Sequence, residues 1–586
     1  MRRLRSGLAS ACAALIVSVT ACAYHHDSAL VPLANPGRCT PVDVAAPSDT
    51  APLLAAAASR FNGSAAAHLP DGACAFVRVE QVDSAVAARE LVDNWPDAVR
   101  LGPAPVAWVP GSTAWSELVN AQLAGRHRHA VATTNGVPFA RTPLVVAMPA
   151  VMARALGYPR RPVGWADLDQ LAQSPRGWGG YGHPEWGPFR LGRGNPHWST
   201  TGLDATIALD ASAAGGRGAA QHLEQSVVYY GDPQVYLDNW RRLAKHSTMS
   251  ALTYLSAAIT DERSVVAYNR GHEQDAVALT GHGARPLLPL VAIYPEGAAV
   301  ETYNPIVVLD EPWSSRAARA GAHAFAKFAR APATQAKVAA AGYRPAVGAA
   351  RTDLISTADG VDAAAGTSPA APSAPVAIES ALARWQANRR PARVIVLFDV
   401  SDSMGDPADP FRPHSPTKIE LARTALTGAL DQLAPGDDVG LRVFSTDLSG
   451  TASPTWRDVV PTGRFTDRRR ALHTAIRALT PHRGSPLYAA TRAAADAVAA
   501  NSDPRRINAV VVLTDGYNED EHDNNVKALL AHLALRPDVR VFTVAYGDAA
   551  DLNTLQKIAQ ATNAWNFDAQ PANDLADVLP RALASF

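Results

Sequence analysis

The chain has 586 residues, too many for one ordinary hydrophobic core, and at roughly 100–200 residues per domain we expect about two to four domains. Hydrophobic residues make up 47% of the chain and charged residues 18%, a globular composition that excludes a largely disordered protein. Lys plus Arg and Asp plus Glu both total 54. The resulting net charge of zero gives no support to nucleic-acid binding, which usually requires a basic domain.

The N-terminus has the pattern of a targeting segment. A basic stretch, "MRRLRSG", precedes the apolar stretch "LASACAALIVSVTA", which is shorter than the about 20 residues of a membrane-spanning helix. It ends in "VTAC", which resembles the lipobox of bacterial lipoproteins and implies cleavage before Cys22 and lipidation of its thiol. We therefore expect a signal peptide over 1–22, a tether over 23–38, and a protein held at the outer face of the cell membrane by lipid alone. An ordinary secretory signal or an uncleaved anchor is the alternative.

Two further cysteines, Cys39 and Cys74, remain after Cys12 in the signal segment and Cys22. An even pair in an exported protein predicts a disulfide. Each cysteine precedes an apolar stretch, and two neighbouring parallel strands would bring both thiols to one end of a sheet. Two buried free thiols are the alternative.

Residues 39–350 alternate between strand-like and helix-like segments, which predicts an α/β domain. The predicted helices include "APLLAAAASRFN" and "SRAARAGAHAFAKFARAP", and the predicted strands are "FVRVEQV", "APVAWVP", "PLVVAMP", "SVVAYN", "LVAIYP" and "PIVVLD". Residues 351–375 are rich in Ala, Ser, Pro and Gly, with little to bury, and this composition predicts a linker.

The alternation is cleaner over 376–586, where a leading helix is followed by continuous apolar strands separated by amphipathic helices. This order predicts a doubly wound, Rossmann-like sheet. Ligands of such sheets bind beyond the carboxyl ends of the strands. Asp399 and Asp515 each follow an apolar strand, "VIVLFD" and "INAVVVLT" respectively.

Five oxygen-bearing side chains are expected at that edge. Asp399, Ser401 and Ser403 alternate as D-x-S-x-S, Asp515 lies in "TDG", and Ser485 precedes a helix in "RGSPLY". Oxygen ligands without thiol or imidazole suit Mg²⁺, Mn²⁺ or Ca²⁺ rather than zinc. Neutral hydroxyl ligands leave the ion with positive charge that an outside acid can neutralise.

This set resembles the metal-ion-dependent adhesion site of von Willebrand factor type A domains, and the resemblance covers about 389–586. It implies that Ser401 and Ser403 bind a divalent cation directly, that Asp399 and Asp515 act largely through water, and that an acidic residue of a protein partner completes the octahedron. Ser485 stands where the family usually has threonine. The alternative is a lapsed site whose serines cap a helix.

Phrases in 39–350, among them "WVPGSTAW", "FRLGRGNPHWSTTGL" and "NPIVVLDEPW", resemble bacterial extracellular solute-binding proteins. The order of the two parts resembles a bacterial lipoprotein family with a solute-binding domain and a C-terminal type A domain. The resemblance implies a two-lobed, periplasmic-binding-protein-like fold. We place lobe one at about 39–140 plus 305–350 and lobe two between them, with "PLVVAMP" and "NPIVVL" as the crossing strands.

Three loops before predicted helices are candidates to line the cleft between the lobes. Their hydroxyls and free N–H groups suit a small, possibly anionic ligand, although Ser, Thr and Asp also favour such positions as helix caps. The candidate residues are Ser48, Asp49, Ser112, Thr113, Asn195, Ser199, Thr200 and Thr201.

No HExxH, GxSxG or P-loop pattern is present, and we expect no enzymatic activity. The favoured function is a lipid-anchored, extracytoplasmic binding protein whose metal site binds a protein partner. The alternative is the solute receptor of an ABC transporter with an accessory type A domain.

Overall fold

The structure is a computed structural model that describes residues 35–70, 72–131, 136–212, 216–273, 276–295, 301–365, 375–446, 448, 455–570 and 574–586. The expected signal peptide, Cys22 and most of the tether lie outside these residues. No helix among the residues described has both the length and the apolar composition needed to cross a bilayer.

The first domain is built on one mixed sheet covered by helices. Its strands follow the order β2-β1-β3-β9-β4-β7-β5-β6, and β8 and β10 also pair with β4. These strands are β1 (Thr40–Ala46), β2 (Ala75–Gln81), β3 (Ala107–Trp108), β4 (Val137–Pro149), β5 (Leu191–Arg193), β6 (Val227–Tyr230), β7 (Ala257–Asp261), β8 (Leu290–Ile293), β9 (Glu301–Val308) and β10 (Arg344–Pro345). The helices are α1 (Ala51–Asn62), α2 (Ser84–Val92), α3 (Ala98–Leu101), α4 (Thr113–Gly125), α5 (Ala150–Ala155), α6 (Trp165–Gln173), α7 (Thr200–Ala211), α8 (Gly216–Gln225), α9 (Pro233–His246), α10 (Thr248–Tyr254), α11 (Glu262–Arg270), α12 (Arg316–Ala329) and α13 (Pro332–Ala340).

Strands β4 and β9 connect the two lobes, as the sequence predicts. β4 pairs with β9 and β10 on the lobe-one side and with β7 and β8 on the lobe-two side. In lobe one, β1 and β2 are parallel, with Thr40 opposite Ala75. The preceding residues, Cys39 and Cys74, form a disulfide with a Cα–Cα distance of 4.7 Å, which confirms the predicted pairing at one end of neighbouring parallel strands.

Two expectations for this part of the chain were wrong. The stretch "SVVAYN" is not a strand but the centre of α11. Asp261 caps this helix by accepting a hydrogen bond from the Ser264 backbone N–H (2.9 Å). Nearly all of its residues are buried, the charged ones included, and the apolar run from Val265 to Tyr268 is too short to distinguish a buried helix from a strand by its periodicity. In the predicted linker, Leu354, Ile355 and Val361 are each 1% exposed. Part of 351–365 therefore packs into the core of lobe two.

The second domain is a six-stranded sheet in the order β13-β12-β11-β14-β15-β16, parallel except for the edge strand β13. Its strands are β11 (Ala392–Asp399), β12 (Asp438–Phe444), β13 (Trp456–Arg464), β14 (Ile507–Thr514), β15 (Val539–Tyr546) and β16 (Asn566–Ala569). Its helices are α14 (Pro375–Asn388), α15 (Lys418–Ala429), α16 (Phe465–Arg477), α17 (Leu487–Ala500), α18 (Val526–Ala534), α19 (Leu552–Ala561) and α20 (Leu575–Leu583). The predicted doubly wound α/β fold is confirmed.

The two domains share a hydrophobic core near the amino ends of the second sheet. Arg390, just before β11, donates to the Val227 carbonyl of lobe two (2.8 Å), and the Tyr229 and Phe542 rings lie 5.5 Å apart. Helix α14 packs against α4 and α7. Since β11 begins at this contact and ends at Asp399, the first domain docks at the end of the sheet opposite to the predicted metal residues.

Candidate functional site

The predicted metal residues converge at the carboxyl ends of β11 and β14, which are neighbouring parallel strands. Asp399 ends β11, and its Oδ1 accepts a hydrogen bond from the Ser401 backbone N–H (2.8 Å), which turns the loop back over the strand end. The Oγ atoms of Ser401 and Ser403 lie 3.1 Å apart. Ser403 Oγ donates to Asp515 Oδ1 at 2.9 Å, and Ser401 Oγ lies 3.5 Å from the same oxygen.

The other side of the site is formed by Ser485, at the start of the segment that leads into α17. Its Oγ donates to Asp399 Oδ2 at 2.9 Å. Thr514, the last residue of β14, donates to the same oxygen. The structure thus brings all five predicted side chains into one connected cluster, and Asp399 and Asp515 are both fully buried.

The spacing of these oxygens fits a small divalent cation. An octahedral Mg²⁺ with ligands at about 2.0–2.1 Å separates adjacent oxygens by about 2.9 Å, which is compatible with the hydrogen-bonded oxygen pairs of the cluster at 2.9, 3.1 and 3.5 Å. Among the described residues, no group of three or more His, Cys, Asp or Glu side chains is placed to hold a metal ion. Here only Asp399 and Asp515 are carboxylates, and hydroxyls supply the remaining oxygens.

The electrostatics of the cluster also favour a cation. The pKa of Asp399 is raised to about 7, chiefly by burial and also by the nearby charge of Asp515, while hydrogen bonds from Thr514 and Ser401 act in the opposite direction. Simultaneous ionisation of two neighbouring buried carboxyl groups is therefore unfavourable unless a positive charge lies beside them.

Lys418 supplies part of that positive charge, a role that was not expected from the sequence. Its Nζ lies 2.7 Å from Asp515 Oδ2. Lys418 is the first residue of α15, and that helix start is fixed by a capping box between Thr417 and Glu420. The sequence T-K-I-E, from Thr417 to Glu420, carries the pattern of a capping box. Such a box fixes where α15 begins, and it therefore places Lys418 at the end of the loop that starts at Ser403.

The lobe-one candidate loops show two different arrangements. Ser112 caps α4, accepting from the Ala114 backbone N–H (3.2 Å), and Thr113 is the half-buried first residue of that helix. By contrast, Ser48 and Asp49 do not cap α1, because Thr50 occupies the cap position. Asp49 is exposed, and its carbonyl accepts a hydrogen bond from Tyr343 Oη (3.1 Å).

The lobe-two loop is already engaged by other parts of the chain. Ser199 caps α7 through the Gly202 backbone N–H (3.2 Å) and lies 3.1 Å from the Thr201 hydroxyl. Thr200 Oγ1 accepts from Trp115 Nε1 of lobe one (3.0 Å). Asn195 donates to the Ala584 carbonyl of the second domain (2.8 Å). This loop therefore contacts both lobe one and the second domain.

A buried carboxylate that the sequence did not single out bridges the lobes. Asp204, in α7, is 1% exposed. Its Oδ1 accepts from Ser112 Oγ (2.8 Å) and its Oδ2 from Thr302 Oγ1 of β9 (2.9 Å). Burial raises the pKa of Asp204 to about 6, against the lowering effect of these two hydrogen bonds. Ser112, predicted to bind an anionic ligand, is thus bound to a carboxylate of the chain itself.

Taken together, the fold is that of a two-lobed solute-binding protein joined to a type A domain. The sequence profile described as bacterial extracellular solute-binding protein matches residues 42–344, and the chain belongs to this family. The von Willebrand factor type A profile matches residues 394–581, which identifies the second domain.

Two curated relatives come from Mycobacterium tuberculosis. The uncharacterized protein Rv1836c of strain H37Rv is 26% identical over 320 residues, covering 53% of this chain and 42% of the relative. The uncharacterized protein MT1884 of strain CDC 1551 gives the same values. The chain thus spans less than half the length of these relatives.

Solved structures resemble each domain separately. The sulfate-binding protein SubI from Mycobacterium tuberculosis H37Rv is 17% identical, with a TM-score of 0.34, over 52% of this chain and 87% of that chain. A von Willebrand factor type A protein from Catenulispora acidiphila is 21% identical, with a TM-score of 0.28, over 33% of this chain and 42% of that chain.

Proposed function

We propose that the chain is a lipid-anchored, extracytoplasmic binding protein that binds a protein partner through a divalent cation in its type A domain. The observation that carries this proposal is the oxygen cluster of Asp399, Ser401, Ser403, Ser485 and Asp515. These residues would hold Mg²⁺, Mn²⁺ or Ca²⁺, and the bound ion would supply a positive centre for an acidic side chain of the partner.

The chemistry of the cluster supports binding rather than catalysis. With three hydroxyls and two carboxylates, one of them paired with Lys418, the protein leaves a divalent ion incompletely neutralised. An added carboxylate is then favoured both as a hard oxygen ligand and as a counter-charge. No general base or nucleophile is required for this function.

The arrangement of the domains also supports it. The first domain contacts the amino ends of the second sheet, where Arg390, just before β11, donates to the Val227 carbonyl (2.8 Å) and Asn195 donates to the Ala584 carbonyl (2.8 Å). Asp399 and Asp515 lie at the opposite ends of the same strands. A partner can therefore approach the metal site without displacing the first domain.

A pull-down from detergent-solubilised membranes tests the proposal. The wild-type chain with Mg²⁺ or Mn²⁺ is compared with the same chain in EDTA and with the variant D399N, which preserves shape but removes the charge. Exposed Asp402, in the same loop but outside the cluster, provides the matched control D402N. A specific protein retained by wild type and D402N with metal, and lost with EDTA or in D399N, supports the proposal. Equal recovery under all conditions contradicts it.

Family membership favours one second candidate, a solute receptor that delivers a small ligand to an ABC permease. In the same pull-down, recovery of a permease irrespective of EDTA would favour transport. Against simple solute capture, Ser112 and Thr302 are already bound by Asp204, and the Asn195 side chain contacts the second domain.

A further inference from the structure

One layer of lobe one has an unusual charge distribution. Helices α1, α12 and α13 pack against one another and cover one face of the sheet, around Val42, Phe61 and Phe325. None of the three helices contains an aspartate or glutamate, although the whole chain is electrically neutral. The basic residues in or directly after them are Arg60, Arg316, Arg319, His323, Lys327, Arg330 and Lys337. We refer to this layer as the basic face.

Most of the positive charge on the basic face is exposed. Arg316, His323, Lys327 and Arg330 follow one another at spacings of three to seven residues, so they lie along one side of α12, and all four are exposed. None of these four forms an ion pair with another described residue. Arg319 is the exception on this helix, because it pairs with Asp310 (3.1 Å).

A groove at one end of this line adds a concave basic site. It has a volume of about 370 Å³ and lies between α12 and the start of β4. Its lining residues are Val137, His323, Ala326, Lys327, Arg330 and Val347. Three basic side chains around a groove of this size suit a phosphate-bearing headgroup.

The start of the described chain lies beside this layer. Gly321 of α12 packs directly on Ala75, since a Cβ built on Gly321 would lie only 2.7 Å from the Ala75 Cβ. Ala75 follows Cys74, which is bonded to Cys39. The residues that precede Cys39 therefore enter the fold next to α12. On the other face of the sheet, the cluster around Trp108 includes Ile378 of α14, so the second domain docks on the side away from the basic face.

We propose that the basic face lies against the anionic headgroups of the membrane to which the chain is anchored. The proposal rests on the anchoring at Cys22 given under the proposed function, because that anchor would hold the entry point of the chain close to the bilayer. Each Lys or Arg near an anionic membrane surface raises affinity about fivefold. The basic face would thus orient lobe one, with the second domain on the side of the sheet that faces away from the lipid.

Vesicle co-sedimentation tests this interaction in a chain that lacks the proposed lipid anchor. The chain from residue 23 onward, which contains every described helix and strand, is mixed with vesicles of phosphatidylcholine alone or of phosphatidylcholine with phosphatidylglycerol. Wild type is expected to bind only the anionic vesicles, with binding weakened by high salt. The triple variant R316Q/K327Q/R330Q is expected to bind about 100-fold more weakly. The control R457Q/R464Q/R470Q removes three exposed charges from the second domain and should bind as wild type does.

Equal binding of wild type and the R316Q/K327Q/R330Q variant, or equal loss in the control variant, would overturn the proposal. The proposal would also be overturned if wild type binds polyglutamate but does not bind anionic vesicles, because the basic face would then be a binding surface for an acidic protein. Matching melting temperatures of all variants show that the fold is intact. Metabolic lipid labelling of the full chain and of C22S tests the anchor separately, so failure of the anchor and failure of the basic face are distinguishable.

Discussion

The Nζ atom of Lys418 lies 2.7 Å from Oδ2 of Asp515, so an ammonium group occupies the edge of the proposed cation site. The Lys418 side chain is 12% exposed and that of Asp515 is fully buried, which limits the screening of this pair by solvent. The lysine stabilises Asp515 while no cation is bound. It also repels an incoming divalent ion.

Replacing Lys418 by methionine is therefore expected to raise divalent-cation affinity. At a separation of about 5 Å, the repulsion between an ammonium and a divalent ion is about 1–2 kcal/mol even at the dielectric constant of water. We expect K418M to bind Mn²⁺ at least about tenfold more tightly, measured by isothermal titration calorimetry. The control K557M removes an exposed lysine of α19. Unchanged Mn²⁺ affinity in K418M would contradict the proposed competition.

The cation itself should stabilise the folded chain. An ion at 100 times its dissociation constant that binds only the folded state adds about 2.7 kcal/mol. For a domain of this size that corresponds to a rise in melting temperature of roughly 5–10 °C. Scanning calorimetry with Mg²⁺ or Mn²⁺ should show this rise in wild type and D402N but not in D399N. A wild-type transition that stays at the same temperature in millimolar metal would rule out the metal site.

Much of the second domain could be predicted from the sequence, because its local signals and tertiary environment agree. β11 and β14 are continuous apolar runs, as expected for strands buried on both faces. Their parallel pairing, with Phe398 opposite Leu513, then places Asp399 beside Thr514 and within one residue of Asp515. Knowing the class of sheet was therefore enough to expect that these two carboxylates meet.

The features that were not predicted depend on burial or on contacts distant in sequence. α11 contains the continuous apolar run from Val265 to Tyr268, and a run of this length does not distinguish a buried helix from a strand. Asp204 was overlooked because no motif marks a carboxylate whose partners, Ser112 and Thr302, are about a hundred residues away. The engagement of Asn195 by the second domain likewise follows only from how the domains dock.

The disulfide of lobe one should make a measurable contribution to stability. Cys39 and Cys74 are 35 residues apart, and closing a loop of that length in the unfolded chain is expected to stabilise the fold by about 3–4 kcal/mol. Urea unfolding of C39S/C74S, compared with wild type in the absence of reductant, measures the difference. Added reductant should destabilise wild type and leave the variant unchanged. Equal stability of the two chains under oxidising conditions would contradict the expectation.

Asp204 should make the stability of the lobe contact depend on pH. Its pKa is raised from 3.8 to about 6 in the fold, so the folded state binds the proton more tightly than the unfolded state does. The contribution of Asp204 to folding stability is therefore greatest below about pH 4, declines as the pH rises to about 6, and is constant above that, with a total loss of up to about 3 kcal/mol.

D204N tests this sign directly, because asparagine keeps the shape and cannot ionise. Its amide oxygen can still accept a hydrogen bond from one of the two hydroxyls, so the contact between the lobes is kept. We expect the free energy of unfolding of D204N to decline less than that of wild type between pH 4 and pH 6, and D204N to be more stable by about 1–3 kcal/mol at neutral pH. The control E379Q changes an exposed acid of α14 and should follow wild type. If D204N keeps the wild-type pH slope, the Asp204 carboxyl does not titrate in this range, and the predicted pH dependence is wrong.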